Sequence, residues 1–326
     1  MKSFAGKRAV VTGGGSGMGR ELVVQLAAEG CSVATCDVNS VSLQETAERA
    51  EAGAPEGTVV TTHVCDVSDE PRVLAFRDEV VARHGEQLNL LFNNAGIGGG
   101  RSFLTDTREE WERTFAVDWW GVYHCTRAFL PLLVAGDDGY LVNTSSVNGF
   151  WASLGPGTPH TAYSTAKFAV TGFSEALIED LRVNAPHVKV AVVMPGHIGT
   201  DIVVNSRRYL GYPEPDDMTD AELEPMRTDL VRRGLPVENV SADQLRQMVK
   251  MMGEVFRNAA PLTAAAAAGI ILDGVRAGKW RILVGDDARE LDERVRARPE
   301  EAYDHTGAGL GTLLMGAEGP AESGRS

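Results

Sequence analysis

The stretch RAVVTGGGSGMGRELVV, residues 8–24, decides the fold of this chain. A short apolar run leads into a cluster of glycines, and these lead into a run with helical periodicity that ends at Gly30. Glycines at such a junction allow a tight turn and a close approach of the backbone to a phosphate group. An ordinary tight loop is the alternative, but the order strand, turn, helix favours a dinucleotide-binding turn.

The alternation of strand and helix continues along the chain. Helical runs lie between β-rich apolar runs, which we predict as strands at residues 7–13, 32–37, 58–66, 88–96, 140–146, 188–196 and 280–285. The strands are apolar almost throughout, as strands are when helices cover both faces of a parallel sheet. The sequence therefore predicts an α/β, doubly wound fold built from βαβ units with right-handed crossovers.

Composition excludes several classes of function. The chain has 326 residues and a formal net charge of -14, so we expect no binding to nucleic acid. The spacing of the four cysteines does not suggest a metal site, and no metal is predicted. No apolar run approaches the roughly 20 residues that span a bilayer, and the N-terminus does not resemble a signal peptide. We expect a cytoplasmic protein with no membrane partner.

Two segments differ from the alternating pattern. Residues 201–260 contain four prolines, many acidic residues and short helical runs, and we interpret them as an insertion over the carboxyl edge of the sheet. Residues 305–326 are rich in Gly, Ala and Ser, and we expect them to form a mobile tail. Residues 1–304 are therefore expected to form a single domain.

Asp37 follows the glycine-rich turn by about 20 residues and closes the second predicted strand. A carboxylate at that place can accept hydrogen bonds from both hydroxyls of a ribose and would repel a 2′-phosphate. Asp37 therefore favours NAD over NADP. The alternative is a helix cap or a turn residue.

Tyr163 and Lys167 stand four residues apart in TPHTAYSTAKFAVTG, residues 158–172, which reads as the start of a helix. Residues at this spacing share one helix face. A free tyrosine has a pKa of about 10, and a nearby ammonium favours its ionised form. The pair is typical of an acid/base group tuned by a fixed charge, and an ordinary amphipathic helix is the alternative.

Six short motifs follow one another in the chain: TGGGSGMG (12–19), CDV (65–67), NNAG (93–96), NTSSVNG (143–149), YSTAK (163–167) and PGHIGT (195–200). In this order they resemble the motifs of the short-chain dehydrogenase/reductase family, from about residue 7 to at least residue 299. The resemblance implies one Rossmann-like domain with a seven-stranded sheet and a helical substrate lid after strand six. It also implies NAD(P) chemistry and a homodimer or homotetramer.

The resemblance also implies a role for particular residues. Ser146 would hold the substrate oxygen, Tyr163 would act as acid/base, and Lys167 would tune Tyr163 and bind the nicotinamide ribose. Asp66 would contact the adenine amino group, Asn94 would mainly brace the strands, and Thr200 would hold the nicotinamide carboxamide. The residues predicted to bind the cofactor are Gly13, Gly15, Ser16, Gly17, Met18, Gly19, Asp37, Val38, Asp66, Val67, Asn93, Ala95, Gly96, Tyr163, Lys167, Pro195, Gly196, Ile198 and Thr200.

Asp118 departs from the family pattern, which has an asparagine at the matching position of the long helix predicted at about 109–134. That asparagine kinks the helix and holds a water that leads to the lysine. An aspartate brings a charge, and near Lys167 it would weaken the positive field that tunes Tyr163. We therefore include Asp118 among the candidate catalytic residues, with a purely structural role as the alternative.

The sequence thus predicts an NAD(H)-dependent oxidoreductase that interconverts a secondary alcohol and a ketone. Phe150 and Trp151 follow the catalytic loop and are predicted to line a pocket for an apolar substrate. His197 is interpreted as spacing within its turn rather than as a catalytic group. The alternatives are an NAD-binding regulator with little turnover and a nucleotide-sugar epimerase or dehydratase on the same scaffold.

Overall fold

The computed structural model describes residues 1–155, 158–232 and 235–304, so the predicted tail at 305–326 lies outside the described residues. The strands are β1 (Arg8–Thr12), β2 (Ser32–Asp37), β3 (Val60–Val64), β4 (Leu90–Asn93), β5 (Gly139–Thr144), β6 (Val188–Pro195), β7 (Ile198–Gly199), β8 (Leu262–Thr263) and β9 (Arg281–Val284). The α-helices are α1 (Gly17–Ala28), α2 (Ser40–Gly53), α3 (Glu70–His84), α4 (Arg108–Phe115), α5 (Gly121–Val134), α6 (Thr161–Asn184), α7 (Ile202–Tyr209), α8 (Asp220–Arg232), α9 (Ala242–Asn258), α10 (Ala264–Arg276) and α11 (Asp286–Ala297).

The main sheet has seven strands in the order β3-β2-β1-β4-β5-β6-β9, and every neighbouring pair is parallel. The predicted doubly wound, Rossmann-like architecture is confirmed. The order reverses between β1 and β4, and in open parallel sheets such a reversal leaves a crevice outside the carboxyl ends of the strands. A ligand crevice is therefore expected above β1 and β4.

Each face of the sheet carries its own apolar core. On one face, α1 and α10 bury residues such as Leu22 and Leu272 against strand residues that include Val11. On the other face, α3, α5 and α6 bury residues such as Phe129 against strand residues that include Val10. The side chains of successive strand residues thus pack on opposite faces of the sheet. Because helices cover both faces, the strands are apolar throughout.

The long helix predicted at about 109–134 is interrupted in the structure. A π-helical turn, Ala116–Trp120, joins α4 to α5 and holds the buried Asp118 at its centre. A π turn adds one residue to a helical turn, and such bulges occur frequently at functional sites. The apolar period of the sequence cannot reveal a single added residue, so only the kink implied by the family resemblance pointed to this break.

In the part of the insertion at 201–260 that the structure describes, there are three α-helices, α7, α8 and α9, which we call the lid helices. α9 begins with a capping box, in which Ser241 and Gln244 satisfy each other's backbone N–H groups. Leu245 on α9 packs against Leu223 on α8 in a small apolar cluster that belongs to the lid helices. The predicted helical lid after strand six is therefore confirmed. Within the described part of the chain, no helix is long and apolar enough to cross a membrane.

Gly19 is the glycine whose replacement should disturb the fold most directly. A Cβ atom at Gly19 would clash with the carbonyl of Gly13 and would lie 2.6 Å from Asn94 Nδ2. We expect Gly19→Ala to lower the free energy of unfolding by about 2 kcal/mol or more, because backbone cannot move aside as a side chain can. Urea unfolding followed by circular dichroism measures this.

Gly53→Ala is the matched control, because a Cβ atom at Gly53, the last residue of α2, meets nothing within 4 Å. We expect this variant to unfold at the same urea concentration as the parent or slightly above it. Equal stability of the two variants would contradict the close approach of α1 to the turn.

Candidate functional site

The glycine-rich turn lies at the predicted crevice, between β1 and α1. Gly13 has a φ of +69°, and a Cβ atom there would lie 2.7 Å from Ala95 Cα at the end of β4. Gly17, with a φ of +52°, begins α1. The backbone N–H groups at the start of α1 are therefore at the switch point, where they suit an anion.

Asp37 ends β2 at the rim of the same crevice. Its Oδ2 accepts a hydrogen bond from the Gly15 N–H at 3.0 Å, and its Oδ1 accepts one from the Asn39 N–H at 3.1 Å. A Cβ atom at Gly15 would lie 2.8 Å from the carboxylate, so the glycine permits this approach. Val38, the next residue, is 49% exposed. The turn and the carboxylate are thus held together as one unit.

The lid helix α7 lies over this crevice and contacts three places along it. Asn205 Nδ2 donates to Ser16 Oγ (3.1 Å), and Ser206 Oγ accepts from the Gly98 N–H (2.7 Å). The Tyr209 hydroxyl donates to Asp66 Oδ2 at 2.9 Å. Sequence reasoning missed these contacts, because the pattern of the insertion shows helices but not the side chains that reach the sheet.

A cavity of about 510 Å³ opens between the glycine-rich turn and the lid helices. Ser16, Gly17 and Arg20 line it from the turn and α1, and Arg207 and Lys250 are among the lid residues that line it. Tyr163 is not one of its lining residues. The cavity therefore lies at the end of the crevice that holds the glycine-rich turn, rather than at the predicted acid/base group.

The side chains at two of the predicted cofactor-binding positions make contacts inside the fold. Asn93 is 2% exposed, and its Nδ2 donates to Thr126 Oγ1 (2.9 Å) and to Asn143 Oδ1 (2.8 Å). Val67 is 5% exposed and packs against Gly121 of α5. Tertiary contacts thus bury the side chains of Asn93 and Val67. Asn94 Nδ2 donates to the Thr12 carbonyl, consistent with a bracing role.

The remaining predicted residues lie around these elements. Gly96 is so close to the Asp118 and Lys167 side chains that a Cβ atom there would lie 2.7 Å from Asp118 Oδ1. Met18 is partly buried against the core on the α1 face. Pro195 ends β6, Ile198 begins β7, and a Cβ atom at Gly17 would lie 3.1 Å from Thr200 Cγ2.

Tyr163 and Lys167 lie one turn apart on α6, and the structure brings both together with Ser146. Lys167 Nζ is 5.3 Å from the centre of the Tyr163 ring and donates to the carbonyl of Thr144 at 3.2 Å. Ser146 lies close enough to the Tyr163 phenol to lower its pKa. His160 stacks on Tyr163 with ring centres 4.5 Å apart. The predicted Ser, Tyr and Lys constellation is therefore assembled at the carboxyl edge of β5.

Asp118 is the ion-pair partner of Lys167. Its Oδ1 lies 3.0 Å from Lys167 Nζ and accepts a hydrogen bond from the Ile97 N–H at 3.2 Å. The two residues are 0% and 2% exposed, respectively. The second oxygen, Oδ2, is buried without a hydrogen-bond partner in the ranges that the structure describes. Among the described residues, Asp118 Oδ2 is therefore a hydrogen-bond acceptor without a donor, and its carboxylate lies beside the Lys167 ammonium.

Burial and the neighbouring charges have partly opposing effects on the pKa values of Tyr163, Lys167 and Asp118. Burial raises the pKa of Tyr163; Lys167 opposes the shift, and the Asp118 carboxylate adds to it. Burial lowers the pKa of Lys167, but Asp118 and Tyr163 outweigh burial, so the pKa of Lys167 is raised. Burial also raises the pKa of Asp118, more than Lys167 lowers it. Burial, with a smaller effect of Arg101, lowers the pKa of His160 to about 3, so its imidazole is neutral.

Phe150 and Trp151 differ from the predicted pocket lining. Trp151 is 3% exposed, packs against Leu291 of α11, and donates its indole N–H to the carbonyl of Ala302. Phe150 packs on the same cluster and lies under the guanidinium of Arg281. The prediction for Trp151 is corrected, because the C-terminal helix buries its ring. Trp151 is buried by residues that lie more than a hundred positions away in the chain, so the local sequence does not reveal its burial.

Comparison with known proteins agrees with this geometry. The family model described as short chain dehydrogenase matches residues 7–210. SadH of Mycobacterium tuberculosis is 35% identical over 297 residues, which cover 91% of this chain and 92% of SadH. Levodione reductase of Leifsonia aquatica is 33% identical over 214 residues, covering 65% of this chain and 77% of that protein.

Solved structures show the same architecture. A short-chain dehydrogenase/reductase from Burkholderia phymatum in complex with NAD has a TM-score of 0.71 and 27% identity, and covers 92% of this chain and 95% of that chain. A metagenomic short-chain oxidoreductase in complex with NADP has a TM-score of 0.53 and 30% identity, over 59% of this chain and 83% of that chain. The chain belongs to the short-chain dehydrogenase/reductase family and is an oxidoreductase of the alcohol and ketone type that binds a nicotinamide dinucleotide.

Proposed function

We propose that this protein is an NAD(H)-dependent oxidoreductase that interconverts an apolar secondary alcohol and its ketone, with Tyr163 as the acid/base. The observation that carries the proposal is the assembly of Ser146, Tyr163 and the buried Lys167 beside a crevice whose rim holds Asp37. Tyr163 supplies a proton donor and acceptor, Lys167 supplies a fixed positive charge, and Asp37 supplies a carboxylate that selects between NAD and NADP.

The residues around the crevice fit a dinucleotide. The glycine-rich turn leaves the N–H groups of α1 free of side chains for a pyrophosphate, because the glycines occupy places that a Cβ atom would fill. Asp37 would accept hydrogen bonds from the adenosine ribose, Asp66 from the adenine amino group, and Lys167 would donate to the nicotinamide ribose. When bound, the nicotinamide supplies the hydride acceptor or donor.

The protein side of the reaction is proton transfer. In the direction of alcohol oxidation, Ser146 and Tyr163 hold the substrate oxygen by hydrogen bonds, and the Tyr163 phenolate accepts the hydroxyl proton. The positive charge on Lys167 favours that phenolate, and Asp118 opposes it. In the reverse direction, the Tyr163 phenol donates the proton to the oxygen of the ketone.

An apolar substrate is supported by the loop that precedes α4. Its Gly100 and Arg101 carbonyls accept hydrogen bonds from the Ala162 and Thr161 N–H groups, which places the loop at the start of α6, next to Tyr163. Phe103 and Leu104 on this loop are 77% and 93% exposed. The similarity to levodione reductase, a reductase named for a dione, supports a ketone substrate.

The cellular setting and assembly are part of the same proposal. All four cysteines are buried and free, which fits the reducing environment of the cytoplasm. Trp120 of the π turn and Phe168 of α6 are 45% and 42% exposed, and such aromatic surface supports a homodimer or homotetramer. Analytical ultracentrifugation tests the assembly.

Tyr163→Phe tests the acid/base role. We expect the variant to lose a factor of about 10² to 10⁴ in kcat with NAD+ and secondary alcohols, because it cannot accept the proton. NADH formation across linear, cyclic and steroid alcohols measures this. Tyr123→Phe, on α5, is the matched control and should retain activity. A parent protein that binds NAD but turns over no alcohol or ketone would favour the sensor alternative.

Asp37→Asn tests the choice of cofactor. The amide keeps the size of the side chain and an oxygen that can accept the Gly15 N–H, but it removes the charge that would repel a 2′-phosphate. We expect the ratio of kcat/KM for NAD+ to kcat/KM for NADP+ to fall about tenfold or more. An unchanged ratio would show that Asp37 does not select the cofactor.

Asp118→Asn tests the charge beside Lys167. Because the carboxylate raises the pKa of Tyr163, its removal should lower that pKa. Alcohol oxidation requires the phenolate, so the rising limb of the pH–rate profile should move to lower pH. An unchanged profile would leave Asp118 a structural role. A shift to higher pH would mean that Lys167, without its partner, had lost its proton to burial.

A further inference from the structure

The turn between β6 and α7, residues 196–200, is held from two sides. From the C-terminal side, Asp287 of α11 accepts the His197 N–H at 2.7 Å on its Oδ2. The carboxylate lies so close to Gly196 that a side chain there would clash with it. From the lid side, Ile198 and Gly199 of β7 pair with Leu262 and Thr263 of β8, the segment that follows α9.

His197 joins the turn to the lid helices through its ring. The residue is 7% exposed, and its Nε2 lies 2.7 Å from the carbonyl oxygen of Phe256 on α9. A carbonyl can only accept a hydrogen bond, so Nε2 must carry the proton. The imidazole also packs on the Phe256 ring, with centres 4.4 Å apart. One residue therefore bonds α11 through its backbone and α9 through its side chain.

Three residues after His197 is Thr200, which lies beside Gly17 of the glycine-rich turn. On the proposed function, Thr200 holds the carboxamide of the nicotinamide. The adenosine half of the cofactor would depend on groups elsewhere, at the glycine-rich turn, Asp37 and Asp66. A shift of residues 196–200 would therefore move the nicotinamide and leave the adenosine end in place.

We propose that His197 is a positioning residue: its Nε2–H bond to the Phe256 carbonyl couples the lid helix α9 to the turn that orients the nicotinamide. This inference rests on the proposed function. The sequence alone suggested no role for His197 beyond spacing within its turn.

Three substitutions separate the hydrogen bond from the space that the ring fills. The side-chain nitrogen of His197→Gln reaches about as far as Nε2 and can donate to the same carbonyl. His197→Asn is polar but one bond shorter, and His197→Phe keeps the ring contact with Phe256 without a donor. We expect His197→Asn and His197→Phe to lower kcat about tenfold or more, because small misplacements of a reacting group can cost up to about 10². His197→Gln should retain most of the activity.

A binding measurement gives a readout independent of turnover. The dissociation constants of NADH and of ADP-ribose, which lacks the nicotinamide, are measured for the parent and the three variants by calorimetry. We expect His197→Asn and His197→Phe to weaken NADH binding toward that of ADP-ribose, with ADP-ribose binding unchanged within about twofold. Unchanged ADP-ribose binding also shows that the variants fold.

Three results would overturn the inference, and only the last of them would also overturn the proposed function. If the parent binds NADH and turns over substrate, and all three variants do the same within about twofold, His197 only fills space. Equal loss in His197→Gln and His197→Asn would likewise exclude the hydrogen bond as the cause. If the parent itself fails to bind NADH, the proposed function fails and the role of His197 fails with it.

Discussion

A chain of buried polar side chains links the carboxyl ends of the central strands to the helix that carries the site. Asn93 at the end of β4 donates to Asn143 of β5, and Asn143 donates to Ser174 of α6 at 3.0 Å. Ser174 closes the chain by donating to the Val170 carbonyl. The side chains of Asn93, Asn143 and Ser174 are at most 2% exposed. Because water cannot reach them, a hydrogen bond lost among them would cost about 1–3 kcal/mol. The register of α6 against the sheet therefore has few alternatives.

The position of the candidate acid/base group follows from that register. Once α6 is set, Lys167 lies over the end of β5, where it donates to the Thr144 carbonyl, and the π turn brings Asp118 within 3.0 Å of it. A buried ion pair seldom adds net stability, because desolvation offsets most of the attraction. The charges of the pair also act on Tyr163, where Lys167 lowers the pKa of the phenol and Asp118 raises it.

The lid helices and α11 complete the site from the other end of the chain. α7 places polar side chains along the crevice, and α9 and α11 meet at His197. Both contacts of His197 span more than fifty residues of sequence. The turn after β6 therefore contacts two elements that lie far from it in the sequence, α9 and α11, and a single histidine links their positions.

By itself, the sequence determined the parallel sheet, the glycine-rich turn and the spacing of Tyr163 and Lys167, because periodicity, turn chemistry and helix geometry are local properties. The break at Asp118 was expected only through the family resemblance, because a π turn leaves the apolar period almost unchanged. The tertiary structure alone decided that Asn93 braces strands, that Trp151 packs under α11, and that α7 reaches Asp66. Those outcomes depend on which distant surfaces meet, and local pattern does not encode the packing of one element on another.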